Sequence, residues 1–175
     1  MLGRWAKFSS MKINDDHLYH GAALTQVAEH PSFKAINAFS LNGSRSRSAF
    51  LINHDIGLYL KYASEPKGTY NEFRFNFLQE HVDELAIVRK KTDKVFIGLI
   101  CISVRQICCL SYRKFLSMIE ARRKRKGADE ASYTILLTLS KGQRFRAYMS
   151  PPGKKKTKMG ERIIPRDDFP SVIFP

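Results

Sequence analysis

Nothing in this chain approaches the roughly 20 consecutive apolar residues that a bilayer-spanning helix needs. The first residues, MLGRWAKFSSMKIN, also lack the apolar core of a secretory signal. Cysteine is scarce: Cys101, Cys108 and Cys109 are the only three, an odd number, two of them adjacent. That spacing excludes a disulfide framework and offers no separated pair of zinc ligands. All three fall inside the apolar runs FIGLICI and QICCLSY, so they read as small core hydrophobes of a protein kept in a reducing, cytoplasmic compartment. There is no Gly-rich phosphate loop, no Gly-x-Ser-x-Gly and no Cys–His pair at a useful spacing, which removes the commonest nucleotide-binding and hydrolase classes. No internal repeat is visible. Met11 is a second candidate start, and residues 1–14 read as a flexible leader.

What remains is a basic chain with a real core. Its 175 residues suit a single domain, and the 43% apolar content is ordinary for a folded protein. The net charge of +14 is not ordinary, and it is unevenly spread. Residues 1–110 hold 14 Lys and Arg against 10 Asp and Glu, whereas residues 111–175 hold 16 against 6. A field of this kind attracts phosphate backbones and anionic headgroups. The plainer reading, that the excess charge only keeps the chain in solution, sits poorly with that asymmetry.

The pattern predicts an α/β or α+β domain with a central mixed sheet flanked by helices. A helix is expected over about 15–30, capped by Asp15 or Asp16 and stopped before Pro31. FKAINAF (33–39) reads as extended and LNGSRSRS (41–48) as a turn or mobile loop. Strands follow at Ala49–Ile52 and Ile56–Ala63, then, after the SEPKG turn, at Tyr70–Phe77, where Phe73, Phe75 and Phe77 alternate with polar residues. Asn76 and Gln79 suggest a capping box for a helix over about 79–91. KVFIGLICIS (94–103) is a strand buried on both faces, Gln106–Leu110 its hairpin partner, and Ser111 the cap of a helix ending at Gly127. Beyond a core of about 15–127, residues 132–175 form a C-terminal β extension: a hairpin from Tyr133–Leu139 and Arg144–Met149, a loop over 150–160, and a proline-punctuated tail that docks on the sheet.

The order helix, three strands, helix, strand over residues 15–103 resembles the restriction-endonuclease-like, or PD-(D/E)XK, superfamily. The resemblance implies a metal-dependent nuclease, or an inactive and repurposed relative, of a phage, plasmid or defence system. It would make Asp55 and Glu72 the ligands of a Mg²⁺ ion, Glu72-Phe73-Arg74 the acid-x-base triplet, and Glu29 the helix acid. No proline precedes Asp55, and Arg74 replaces the usual lysine; a guanidinium holds phosphate but does not abstract protons. Lys61 stands at an odd offset from Asp55, on the opposite face. Pairing Ile56–Ala63 with Tyr70–Phe77 about SEPKG leaves Asp55 more than about 10 Å from Glu72, so a shared metal requires a bulge or a shifted register. The degenerate motif favours the inactive alternative, and no cofactor is assigned beyond Mg²⁺ in the nuclease case.

His17 and His20 lie three apart without a third ligand and read as a solvated helix start. The basic clusters carry more. Arg122, Arg123, Lys124, Arg125 and Lys126 end a helix, Lys154, Lys155, Lys156 and Lys158 lie on a glycine-flanked loop, Arg144 and Arg146 flank Phe145 on a strand, and Arg45 and Arg47 form a further patch. Together they predict binding of DNA or RNA through phosphate contacts. Aromatics at core spacings offer no evident stacking platform. The rival partners are an acidic protein, bound by a non-enzymatic inhibitor or assembly factor, and an anionic membrane surface; the second lacks a matching apolar helix face.

Overall fold

In the computed structural model of the chain, which describes residues 12–41, 43–154 and 157–174, helix α1 (Asp15–Glu29) begins at Asn14. The Asn14 side chain accepts the N–H of His17 at 3.0 Å, and the His17 ring accepts the N–H of Asn14. Asn14, not Asp15 or Asp16, is therefore the cap, and the two aspartates occupy the first turn, where carboxylates complement the helix dipole. Strands β1 (Ile36–Leu41), β2 (Ser44–Ile52) and β3 (Ile56–Ala63) form an antiparallel meander. The stretch expected as a loop is mostly strand, since β2 already begins at Ser44. The Ser-Arg alternation there is a period of two written in polar residues. Asn53 and His54, at φ of 53° and 78°, make the tight turn into β3.

β4 (Phe73–Leu78) runs into α2 (Gln79–Lys91), then β5 (Lys94–Cys101), β6 (Gln106–Ser111), α3 (Tyr112–Lys126), β7 (Ser132–Thr138), β8 (Phe145–Met149) and β9 (Met159–Ile164). Asn76 does not cap α2: it lies within β4, accepting from the Thr134 hydroxyl, and the cap is Leu78, whose N–H donates to the His81 ring at 3.1 Å. Ser111 caps α3 through the N–H of Lys114, and Gly127, at φ 78°, ends it.

Two sheets result. The first is mixed, in the order β1-β2-β3-β5-β6, with β3 and β5 parallel across the α2 crossover. The second is antiparallel, in the order β4-β7-β8-β9. The expected pairing of β3 with the following strand is not formed. Instead Phe77 faces Tyr133 and Phe73 faces Leu137 across the β4–β7 ladder. The predicted C-terminal hairpin is present as β7–β8, but it joins β4 in one sheet and does not stand apart from the core.

One face of the first sheet (Tyr59, Ile97, Leu99, Cys108, Leu110) packs on α2, α3 and the inner face of the second sheet in a single buried cluster. Its other face is covered by Ala23 and Val27 of α1 and by the C-terminal segment through Ile173. Among the described residues no helix is long and apolar enough to cross a membrane.

All three cysteines are buried; burial pushes the Cys101 thiol up to about 12, and raises Cys108 and Cys109 likewise. A soluble thiol reagent should therefore label the native protein only as fast as it unfolds, since the thiolate is the reactive form. Cys109→Ala should shift stability by no more than about 1–2 kcal/mol. Rapid labelling of the three thiols in native buffer would contradict this packing.

Candidate nucleic-acid interface

β2 and β3 separate along their length. Their ladder runs only from Ile52–Ile56 to Ala49–Tyr59. Beyond it the Ser46 hydroxyl accepts the backbone N–H groups of Ser48 and Ala49, at 3.2 and 3.0 Å. A side chain thus takes over from the ladder, and β2 continues along β1 alone, with Ser44 opposite Leu41. Among the described residues, the β2-facing edge of β3 from Leu60 onwards has no strand partner.

A cavity of 380 Å³ opens at that fork. Leu60, Lys61 and Tyr62 of β3 form one wall, and Arg74, Phe75 and Asn76 of β4 another. Consecutive strand residues point to opposite faces, so three in a row can border one cavity only along a strand's edge. β4 is the outermost strand of its sheet. The cavity is therefore a slot between the edges of two sheets, with Asp16 and His20 of α1 and Ser48 of β2 beside it. It shares lining residues with a neighbouring hollow at each end. Asp16 and His20 also line a 520 Å³ hollow bordered by Lys12, Arg47 and Phe50. Arg74 and Asn76 also line a 640 Å³ depression on the outer face of the second sheet, near Thr134 and Leu136. The three hollows thus adjoin one another through shared lining residues, and their line is called the groove below.

Cations mark the groove's length: exposed Lys12 and Arg47 at one end, Lys61 and Arg74 at the slot. Lys61 is half-buried, and among the described residues it makes no hydrogen bond or ion pair. Its ammonium lies 5.2 Å from the centroid of the Phe77 ring. Burial lowers its pKa, against the opposing pull of Glu84 and Glu80. Glu84 accepts the Tyr59 hydroxyl at 3.2 Å. Arg74 is half-exposed, 3.8 Å from Glu72. His20 is buried, and its Nδ1 lies 3.0 Å from the Arg47 carbonyl. A carbonyl can only accept, so Nδ1 carries the proton and Nε2 is left as an acceptor. Burial lowers the pKa of His20 and keeps it neutral.

The basic runs fare differently from one another. Arg122 is held by Glu130 through two bonds, Nε–Oε2 at 2.5 Å and Nη2–Oε1 at 2.8 Å, and donates to the Ser150 carbonyl. Arg123 bonds the Tyr133 hydroxyl and pairs with Asp129, and Lys126 pairs with Glu130. Of that run only Lys124 and Arg125 are exposed without such ties among the described residues. Arg146 and Lys158 both pair with Glu161, at 2.6 and 3.3 Å. Arg144, Lys154 and Arg45 are exposed. Lys155 and Lys156 lie outside the described residues.

The acids are dispersed. Asp55 sits in the turn before β3, its carbonyl accepting from Asp93 and Lys94 at the end of the strand away from Lys61. Glu72 is buried beside the second sheet and accepts the Tyr148 hydroxyl at 2.5 Å. Glu29 is exposed at the end of α1. The structure does not bring Asp55 and Glu72 together, because β4 pairs with β7 and not with β3. Among the described residues no group of three or more His, Cys, Asp or Glu could hold a metal ion. Of the residues the resemblance pointed to, Arg74 lines the slot with Lys61, and Glu72 lines the depression on the outer face of the second sheet.

Sequence reasoning passed over Lys12, Lys61, His20 and Tyr62 as groove residues. Lys61 carried the one available signal, a lysine in an otherwise apolar strand, Ile56–Ala63. Compared with known protein families, curated proteins and solved structures, the chain has no significant match.

Proposed function

We propose that the protein binds nucleic acid through its phosphate backbone, laid along the groove between α1, β3 and β4. One observation carries the reading. Lys12 and Arg47 line one hollow and Lys61 and Arg74 the slot that adjoins it, while most of the densest basic run, Arg122–Lys126, is spent on internal ion pairs. Lys61 has no hydrogen bond or ion pair among the described residues, and Arg74 is half-exposed with a single contact, 3.8 Å long, to Glu72; both can take up a phosphate, and the net charge of +14 draws polyanions to the surface that holds them. Metal-dependent cleavage is not part of this reading, since the carboxylates it needs do not converge.

The test is the salt dependence of affinity. Binding to a short oligonucleotide should be micromolar or tighter at low salt, and each phosphate contact contributes about 0.9 to the slope of log K against log salt. Replacing Lys12, Arg47, Lys61 and Arg74 together with glutamine should flatten that slope by about 3.6 units. Replacing Lys124 and Arg125 should change it by less than half as much. A flat dependence in the wild type, or a loss confined to the Lys124/Arg125 variant, sinks the proposal. Binding of an acidic protein that oligonucleotides fail to displace would favour an inhibitor or assembly factor instead.

A further inference from the structure

We infer that the slot between β3 and β4 admits a single strand of nucleic acid and clamps one phosphate between Lys61 and Arg74. This rests on the phosphate-binding reading above and narrows it to a substrate class.

The walls decide the class. Each is a strand edge three residues long, and the space between them is 380 Å³, near the lower end of the roughly 300–1,000 Å³ typical of small-ligand sites. That suits one nucleotide of a chain passing through. A duplex carries a second strand and paired bases across its full width, so it can rest on the groove's rim but cannot enter.

The groups in the slot match the parts of a nucleotide. Lys61 stands on one wall, pressed against Phe77 and unpaired among the described residues, and Arg74 stands on the other. An anion between them would give the Lys61 ammonium the partner it lacks. Half-buried Tyr62 lines the slot, its ring 4.8 Å from that of Tyr19, and half-buried Phe50 lines the adjoining hollow. These provide aromatic surface beside the clamp, as single-strand channels do. The Nε2 acceptor of His20, with Ser48 and Asn76, supplies polar contacts able to meet base edges or a ribose hydroxyl. Phe73, Phe75 and Phe77 lie wholly in the core, whereas Tyr62 and Phe50 pack against it with part of each side chain accessible.

Fluorescence anisotropy separates the possibilities. The full-length protein is titrated into a labelled 12-nucleotide single strand and into a blunt duplex of the same sequence. The single strand should bind about tenfold more tightly at matched salt. Lys61→Gln and Arg74→Gln should each weaken single-strand binding about fivefold to tenfold and duplex binding by a clearly smaller factor, about twofold. Lys61→Arg, which keeps the charge, should restore most of the loss, and the unfolding midpoint of each variant shows that it is folded. Equal affinity for the two forms, or equal losses on both, overturns the single-strand inference while leaving the groove reading in place. Failure to bind either form overturns the groove reading itself. Competition by polyglutamate as effective as that by unlabelled oligonucleotide would also overturn the inference, because a carboxylate polymer offers no base for Tyr62.

Discussion

Phe77→Ala is expected to lower the free energy of unfolding by about 3–5 kcal/mol, the range for removing a large aromatic from a core that cannot collapse into the space. Phe77 is fully buried near the end of β4, its ring centroid 4.9 Å from that of Phe115 and 6.4 Å from that of Tyr59. It is the point where β4, α3 and β3 meet, so no single element can move to fill the hole. Domains have only about 5–15 kcal/mol in total, and in a chain of this length each kcal/mol moves the melting temperature by roughly 2–4 °C. A drop of about 10 °C or more in Tm is therefore the expected reading, against a much smaller one for Phe77→Leu. The consequence extends to the groove, because the same ring supports the Lys61 ammonium. At temperatures where Phe77→Ala is still folded, it should bind oligonucleotide more weakly although no charge has been removed. A loss of less than about 1 kcal/mol would mean that the three elements do not share this packing.

Local order and the tight hairpins β2–β3, β5–β6 and β7–β8 were legible; pairing between strands far apart in the chain was not. The alternation of Phe73, Phe75 and Phe77 is a property of neighbouring residues, and so are the Ser111 cap and the Gly127 stop; each holds in the structure. What β4 pairs with is decided by burial on the scale of the whole chain. Its aromatic face completes a sheet with Tyr133, Ile135 and Leu137 more than fifty residues away, and nothing near β4 announces that. The mistaken hairpin through SEPKG followed from preferring the nearest strand. The same preference set Glu72 on a sheet with Asp55. The Ser-Arg stretch shows a different limit: composition suggested a loop, while its two-residue period, the same as that of β4, is that of the strand it forms. Lys61 could have been singled out, since a lysine in an apolar strand must either reach solvent or have a partner. The slot around it could not, because it exists only where β2 leaves β3 and the edge of β4 comes close.

Glu130→Ala is expected to cost about 2–3 kcal/mol at neutral pH, between the worth of an exposed ion pair and that of a buried one. Glu130 is mostly buried and receives two bonds from Arg122 and one from Lys126. Arg122 in turn donates to the Ser150 carbonyl, so the carboxylate joins the end of α3 to the segments flanking β7 and β8. Hydrogen bonds from Arg122, then from Lys126, hold its pKa down at about 2. The folded value lies below the ordinary carboxylate value of about 4.3, so the contribution is present in full above that pH. It is lost progressively as pH falls from there towards 2. Denaturant midpoints should accordingly separate wild type from Glu130→Ala widely at pH 7 and bring them together near pH 2.5, with Glu130→Gln between them at neutral pH. A gap that stays constant across this range would show that the carboxylate's charge contributes nothing. The same variants discriminate between the two uses of the basic run. If Arg122 and Lys126 are structural cations, releasing them from Glu130 should leave oligonucleotide affinity unchanged or raise it, since two positive charges become available to phosphate. If the run were itself the binding surface, ordered by Glu130, affinity would fall along with stability. Measuring both quantities on one folded variant distinguishes the cations that hold the molecule together from those left over to hold a ligand.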